Sequence, residues 1–140
     1  MGIFINFVAM DKRNLTPEEL TKYQNHYTEN DFWIKLGTLA KKAGVKVTYY
    51  ALTLYYTLID PKTPTKYKAV IAGALGYMIL PLDIVPDFLP FAGLADDWAA
   101  LVAAVAYVAT AITPEIKTRA REKVEEWFGP LADTQLGDLL

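Results

Sequence analysis

Residues 47–59 (VTYYALTLYYTLI) carry no charge and are apolar or aromatic on every face of a helix. The residues before them share one spacing, because apolar side chains recur at three- and four-residue steps from Phe32 to Leu58, straight through Gly44. This periodicity predicts one continuous helix over residues 32–59. A helix without a polar face must be covered all round. Its second half therefore has to be buried, by protein or by lipid.

Threonine followed by proline marks three further helix starts, at residues 16–17, 63–64 and 113–114. The threonine hydroxyl accepts a bond from a first-turn N–H, and proline has no N–H to leave unpaired. Thr16 and Glu19 also form a capping-box pattern, and Gly129-Pro130 predicts the end of the last helix. No alternating apolar and polar run is long enough for a sheet, so the predicted class is all-α. We expect a small bundle of about five helices at residues 17–29, 32–59, 64–80, 96–112 and 114–128, with a short helical turn near residues 84–89.

A proline- and aspartate-rich turn separates the third and fourth of these helices. Pro81, Pro86 and Pro90 exclude a regular helix through residues 78–90, so a central helical hairpin joined by this turn is expected. Four carboxylates lie in or just after the turn, in apolar surroundings without Lys, Arg or His: Asp83, Asp87, Asp96 and Asp97. Each therefore needs a helix terminus, a distant cation, a metal ion or water.

Three interpretations of these carboxylates stay open. In the first, which we favour, Asp83 caps the short helix, Asp96 caps a helix that begins at residue 97, and Asp97 occupies its first position. In the second, the carboxylates bind calcium or magnesium, because such ions prefer oxygen ligands, although the spacing is not that of an EF-hand. In the third, they pair with nearby lysines and lock the hairpin. No metal or other cofactor is assigned.

The same segment resembles the YkvA family, a bacterial domain of unknown function with the pattern tyrosine, a few aliphatics, Pro-x-Asp-x-x-Pro-Asp, then Gly and Asp-Asp. The matching positions are Tyr77, Pro81, Asp83, Pro86, Asp87, Gly93, Asp96 and Asp97. The resemblance covers roughly residues 33–128. We therefore expect a YkvA-like domain over residues 32–128, after an N-terminal segment with one short helix (1–31) and before a C-terminal tail (129–140). The family brings no activity, so no catalytic residue is assigned.

Several features favour contact with a membrane. Lys35, Lys42 and Lys46 align in one row beside the apolar stripe, which is typical of a helix on anionic lipid, although a solvated bundle face fits equally well. Residues 69–82 and 98–114 are uncharged, but each is shorter than the roughly twenty residues that cross a bilayer. A hairpin of the two would dip into one leaflet or span a thinned membrane. The alanines of residues 99–111 would pack closely there, with Gly73 and Gly76 as the matching flat surface.

Composition excludes several functions. The chain has no cysteine, no serine and one histidine, so neither a Cys or Ser nucleophile nor a His-based zinc site can be built. The net charge of −2 gives no overall attraction to nucleic acid, and the tyrosine doublets are expected in the core. We therefore expect a non-enzymatic, membrane-associated module on the cytoplasmic side, an accessory or scaffold that binds a protein partner or itself. The alternative is a soluble cytoplasmic domain with an acidic, cation-binding loop. No nucleic acid or small-molecule substrate is assigned.

Overall fold

The computed structural model describes residues 16–79 and 90–129, with the backbone alone at residues 42–43 and 90–98. These residues form six α-helices: α1 (Pro17–Thr21), α2 (Glu29–Ala43), α3 (Val45–Ile59), α4 (Thr65–Ile79), α5 (Pro90–Tyr107) and α6 (Pro114–Phe128). Two short 3-10 helices lie at Gln24–His26 and Ala109–Ala111. The described residues contain no strand, so the all-α prediction is confirmed.

Helix α3 is the centre of the bundle. It contacts α2, α4, α5 and α6, and every residue from 48 to 57 is buried. Thr48, Thr53 and Thr57 each donate a hydrogen bond of 2.8 Å to the carbonyl group four residues earlier, so their hydroxyl groups are satisfied inside the helix. The sequence requires that residues 47–59 be covered by protein or by lipid. In this bundle, the neighbouring helices cover them.

Gly44 separates α2 from α3. Its backbone angles are φ 84° and ψ −162°, a conformation that favours glycine and ends one helix while starting the next. The prediction of one helix over residues 32–59 is therefore wrong. Apolar spacing continues across Gly44 because both helices bury their apolar faces in the same core, as Leu39 and Val45 do on either side.

Two of the three Thr-Pro pairs cap helices as predicted. The hydroxyl groups of Thr16 and Thr113 each accept a hydrogen bond of 3.2 Å from the N–H three residues later. Thr63 behaves differently, because its buried hydroxyl donates to the Thr57 carbonyl at 2.7 Å, and α4 begins at Thr65. This bond ties the start of α4 to the end of α3.

The end of the first helix differs from the prediction, and the end of the last helix agrees with it. The first predicted helix, residues 17–29, ends at Thr21 and is followed by the 3-10 helix at Gln24–His26. Thr28 then caps α2 and accepts a bond of 3.1 Å from the Asp31 N–H. The last helix ends at Phe128, and Gly129 follows with a φ of 95°, as the Gly-Pro pair predicts. Local capping chemistry thus sets these boundaries.

Gly73 and Gly76 let the N-terminal segment cross α4 in direct backbone contact. A Cβ atom on Gly73 would lie 1.8 Å from the Leu20 carbonyl oxygen, and one on Gly76 would lie 2.2 Å from that of Tyr23. The prediction that these glycines form a flat surface for the alanine-rich helix is therefore wrong. Their close partners are α1 and the first 3-10 helix.

Candidate interaction surface

The predicted motif is only partly within the described residues. Tyr77 lies on α4, half-buried, and its ring meets the Tyr23 ring edge-on with centroids 4.9 Å apart. Gly93, Asp96 and Asp97 lie on the backbone of α5, and the side chains of the two aspartates are outside the described part. The remaining motif residues, and the helical turn predicted near residues 84–89, also lie outside it: Pro81, Asp83, Pro86 and Asp87.

The start of α5 corrects one interpretation of the motif. Because α5 begins at Pro90, Asp96 lies inside the helix and is not the N-cap of a helix beginning at residue 97. Metal binding and ion pairing at the four aspartates stay predictions. Among the residues with described side chains, no group of three or more His, Asp or Glu is placed to hold a metal ion.

The predicted basic row does not follow a single helix. Lys35 is half-buried on α2, Lys46 is exposed on α3, and the side chain of Lys42 is outside the described part. The turn at Gly44 lies between Lys35 and Lys46, so the prediction that these lysines form one row along a single helix is wrong. Contact of these lysines with lipid or a partner stays a prediction.

An aromatic cluster joins α2 to α3. The Phe32 ring stacks on Tyr55 at 4.9 Å, and Trp33 meets Tyr55 edge-on at 5.0 Å. The Tyr55 hydroxyl donates to the Glu29 carboxylate, and burial together with this bond raises the pKa of Tyr55. Burial, and then the nearby Tyr55 and Glu29, raise the pKa of Tyr27 well above its usual range. The cluster is a packed core element, as expected for the tyrosine doublets.

Two arginines of α6 lie over tyrosine rings of α3. The Arg119 guanidinium is 4.4 Å from the Tyr56 ring centroid, and that of Arg121 is 5.2 Å from Tyr49. On the same helix, the Lys123 ammonium lies 3.5 Å from the Glu126 carboxylate and forms an ion pair with it. The two arginine–tyrosine contacts join residues that are far apart in the chain, so local sequence spacing could not predict them.

One end of the bundle combines exposed apolar side chains with lysines. At the end of α3, Ile59 is 45% exposed, and at the end of α5, Tyr107 is 38% exposed. Tyr67 meets Tyr107 edge-on at 5.4 Å, and the Lys66 ammonium lies 5.6 Å from the Tyr67 ring. With the exposed Lys62, these residues define what we call the basic end: Ile59, Lys62, Lys66, Tyr67 and Tyr107.

An open groove of about 350 Å³ lies at the basic end, between residues 60–64 and residues 110–113. Lys62 and Tyr67 line it together with three threonines. Residues 59–68 contain three lysines and a single acid, Asp60, whose carboxylate accepts a 2.8 Å bond from the Lys62 N–H. Glu115, exposed in the first turn of α6, is the acid that follows Thr113 of the groove. Residues 59–68 therefore carry an excess of positive charge in a chain of net charge −2, while the groove lining itself holds one lysine and one aspartate, Lys62 and Asp60.

The membrane expectation can be compared with helix length and hydropathy. In the part of the chain that the structure describes, no helix combines the length and the apolar character that crossing a bilayer requires.

A comparison with protein families finds one match. The family described as "Protein of unknown function (DUF1232)" matches residues 67–103, from the first turn of α4 into α5. This range contains all the motif positions from Tyr77 to Asp97. No curated protein and no solved structure matches the chain. Over these residues, the chain is therefore similar to a domain family without an assigned function.

Proposed function

We propose that the chain is a YkvA-like, non-catalytic domain that binds the anionic, cytoplasmic surface of a membrane through its basic end. One observation carries this proposal: exposed Ile59 and Tyr107 stand beside Lys62 and Lys66 at the same end of the bundle. The family match over residues 67–103 supports the YkvA-like part of the proposal, because it spans the motif.

The chemistry of the basic end suits the boundary between lipid headgroups and acyl chains. Tyrosine has an apolar ring and a polar hydroxyl, and for this reason it is enriched at that boundary. An exposed isoleucine gains roughly 25 cal/mol for each Å² that it buries there. Each lysine near an anionic surface contributes about 1 kcal/mol. These terms sum to a few kcal/mol, so we expect reversible, salt-sensitive binding.

Vesicle flotation tests this function. We expect the protein to float with vesicles of phosphatidylcholine and phosphatidylserine, and to float much less with phosphatidylcholine alone. Binding should fall in about 1 M salt, where the screening length is only ~3 Å. Lys62→Glu with Lys66→Glu should weaken partitioning at least roughly thirtyfold, since two lysines contribute about 2 kcal/mol. The double variant Ile59→Ser, Tyr107→Ser should weaken partitioning onto the vesicles both at low salt and at high salt.

Lys46→Glu is the matched control. Lys46 is equally a surface lysine, but it lies in the first turn of α3, about 20 Å along the helix from Ile59. We expect it to bind like the unaltered protein. If Lys46→Glu is as damaging as the change at the basic end, the row of Lys35, Lys42 and Lys46 is the lipid contact instead. An absence of flotation with either vesicle would refute membrane binding.

A further inference from the structure

The groove at the basic end is lined by one positive and one negative side chain. Lys62 and Asp60 lie on the loop between α3 and α4. The Asp60 Oδ1 atom accepts the backbone N–H of Lys62 at 2.8 Å, which engages one of the two carboxylate oxygens. Neither side chain forms an ion pair with another residue in the described part of the chain. Both charges are therefore available to a ligand.

The loop between α5 and α6 adds hydroxyl groups to the groove. Thr110 is exposed, and the Thr113 hydroxyl accepts the Ile116 N–H, so each can still donate its own proton. Tyr67 also lines the groove, and the face of a tyrosine ring attracts cations. The groove thus offers donors to an anion and, beside them, a carboxylate and an aromatic ring to a cation.

Hydrogen bonds within the chain hold both loops in place. The Thr63 N–H donates to the Asp60 carbonyl at 3.1 Å, and the Thr63 hydroxyl donates to the Thr57 carbonyl at 2.7 Å. On the other side, the Ala111 N–H donates to the Val108 carbonyl at 2.8 Å. A ligand therefore meets a groove whose loops are already ordered, which lowers the entropic cost of binding. Its volume of about 350 Å³ suits a small polar group.

We propose that this groove binds the headgroup of an aminophospholipid, in which a phosphate is joined to a primary ammonium group. The phosphate oxygens accept hydrogen bonds from Lys62 and the threonine hydroxyls, and the ammonium donates to the Asp60 carboxylate. Because Ile59 and Tyr107 must first bring the basic end to the lipid surface, this binding rests on the proposed function. A headgroup without the amine leaves Asp60 next to a phosphate of the same charge, so the groove selects against it.

Two anionic lipids of equal charge test this selectivity. Phosphatidylserine has a primary ammonium and phosphatidylglycerol has none. At equal mole fractions in phosphatidylcholine vesicles, both give the same surface charge, so the general attraction of the lysines is the same. We expect roughly fivefold tighter binding to the phosphatidylserine vesicles, the upper end for a solvent-accessible ion pair. Phosphatidylethanolamine added to the phosphatidylglycerol vesicles supplies the ammonium without a carboxylate and should restore most of the difference.

Equal affinity for phosphatidylserine and phosphatidylglycerol would refute the headgroup selectivity and leave the proposed membrane binding intact. Binding to neither vesicle would refute the proposed function, and the headgroup site with it.

Asp60→Asn is the decisive variant. Asparagine keeps an acceptor oxygen for the Lys62 N–H but removes the charge that binds the ammonium. We expect this variant to bind both anionic lipids equally. The matched control is Glu115→Gln, which removes an exposed acid that is not among the described residues lining the groove. It should raise the affinity for both lipids by the same factor and keep the preference for phosphatidylserine. A preference that persists in Asp60→Asn would show that Asp60 does not bind the ammonium.

Phosphoethanolamine carries the same two groups without acyl chains and separates a lipid from a soluble ligand. Calorimetric titration without vesicles should give no saturable heat below roughly millimolar concentration, because the exposed apolar side chains of the basic end gain nothing from a soluble ligand. Saturable binding at micromolar concentration would overturn the lipid assignment and give the groove to a soluble aminophosphate.

Discussion

Gly73 and Gly76 allow residues 20–23 to lie directly on α4. The carbonyl oxygens of Leu20 and Tyr23 occupy the space that side chains would fill, and Leu20 itself is 1% exposed. Because the obstructing atoms belong to the backbone, a rotamer change cannot relieve the clash. These positions therefore tolerate no added carbon without movement of α1 or α4.

Gly73→Ala should lower the free energy of unfolding by about 3 kcal/mol, the upper part of the usual range for overpacking. Gly37→Ala is the matched control, since a Cβ atom there meets nothing within 4 Å. In the helical interior of α2 it should raise stability by about 0.5–1 kcal/mol. Denaturant unfolding of both variants measures the difference. Equal stability of the two variants would show that the backbone of residues 20–23 does not lie directly against Gly73.

At the scale of helices, Gly44 sets the angle between α2 and α3. Its N–H still donates to the Ala40 carbonyl at 3.3 Å, and its own carbonyl accepts both the Thr48 N–H and the Thr48 hydroxyl. One residue therefore closes α2 and opens α3. A side chain has open space there, so the cost of replacing the glycine comes from its backbone angles alone.

Gly44→Ala should accordingly reduce stability by about 1–3 kcal/mol, without a change in the neighbouring packing. Thermal unfolding checks this directly. If α2 and α3 instead form the single straight helix that the apolar spacing suggests, alanine should stabilise the protein, because it is the better helix former.

Sequence patterns predicted features that depend on neighbouring residues. Thr113 and Gly129 could be assigned to helix ends because capping involves the next few residues only. The turn at Gly44 could not, since apolar periodicity is insensitive to one backbone angle. Contacts such as Arg119 with Tyr56 depend on the tertiary arrangement. The same applies to the basic end, whose lysines were visible in the sequence but whose exposed Ile59 was not.

For the whole molecule, buried tyrosines make stability depend on alkaline pH. In four tyrosines, burial is the main cause that raises the pKa above the ordinary value of about 10: Tyr27, Tyr49, Tyr50 and Tyr55. At Tyr49, the charge of Arg121 partly opposes this rise. Below pH 10 both folded and unfolded chains keep these protons. Above it, the unfolded chain loses protons that the folded chain retains, so folding becomes less favourable.

The free energy of unfolding should therefore fall above pH 10, by about 1.4 kcal/mol per pH unit for each tyrosine that keeps its proton only in the fold. Tyr27→Phe removes one such proton and should make the decline shallower. Urea unfolding at pH 9, 10 and 11 gives both slopes, and their difference cancels the contribution of the lysines. Parallel slopes would show that Tyr27 ionises as readily in the fold as in the unfolded chain.

The threonines of α3 have a consequence for how this protein can vary. Because Thr48, Thr53 and Thr57 bond to their own helix, α3 requires no polar partner from its neighbours at these three positions. Shape alone then decides which side chains can pack against those positions, and volume-conserving apolar replacements in such places usually cost less than about 1.5 kcal/mol. Related chains could exchange many residues on the surrounding helices while keeping the same central one.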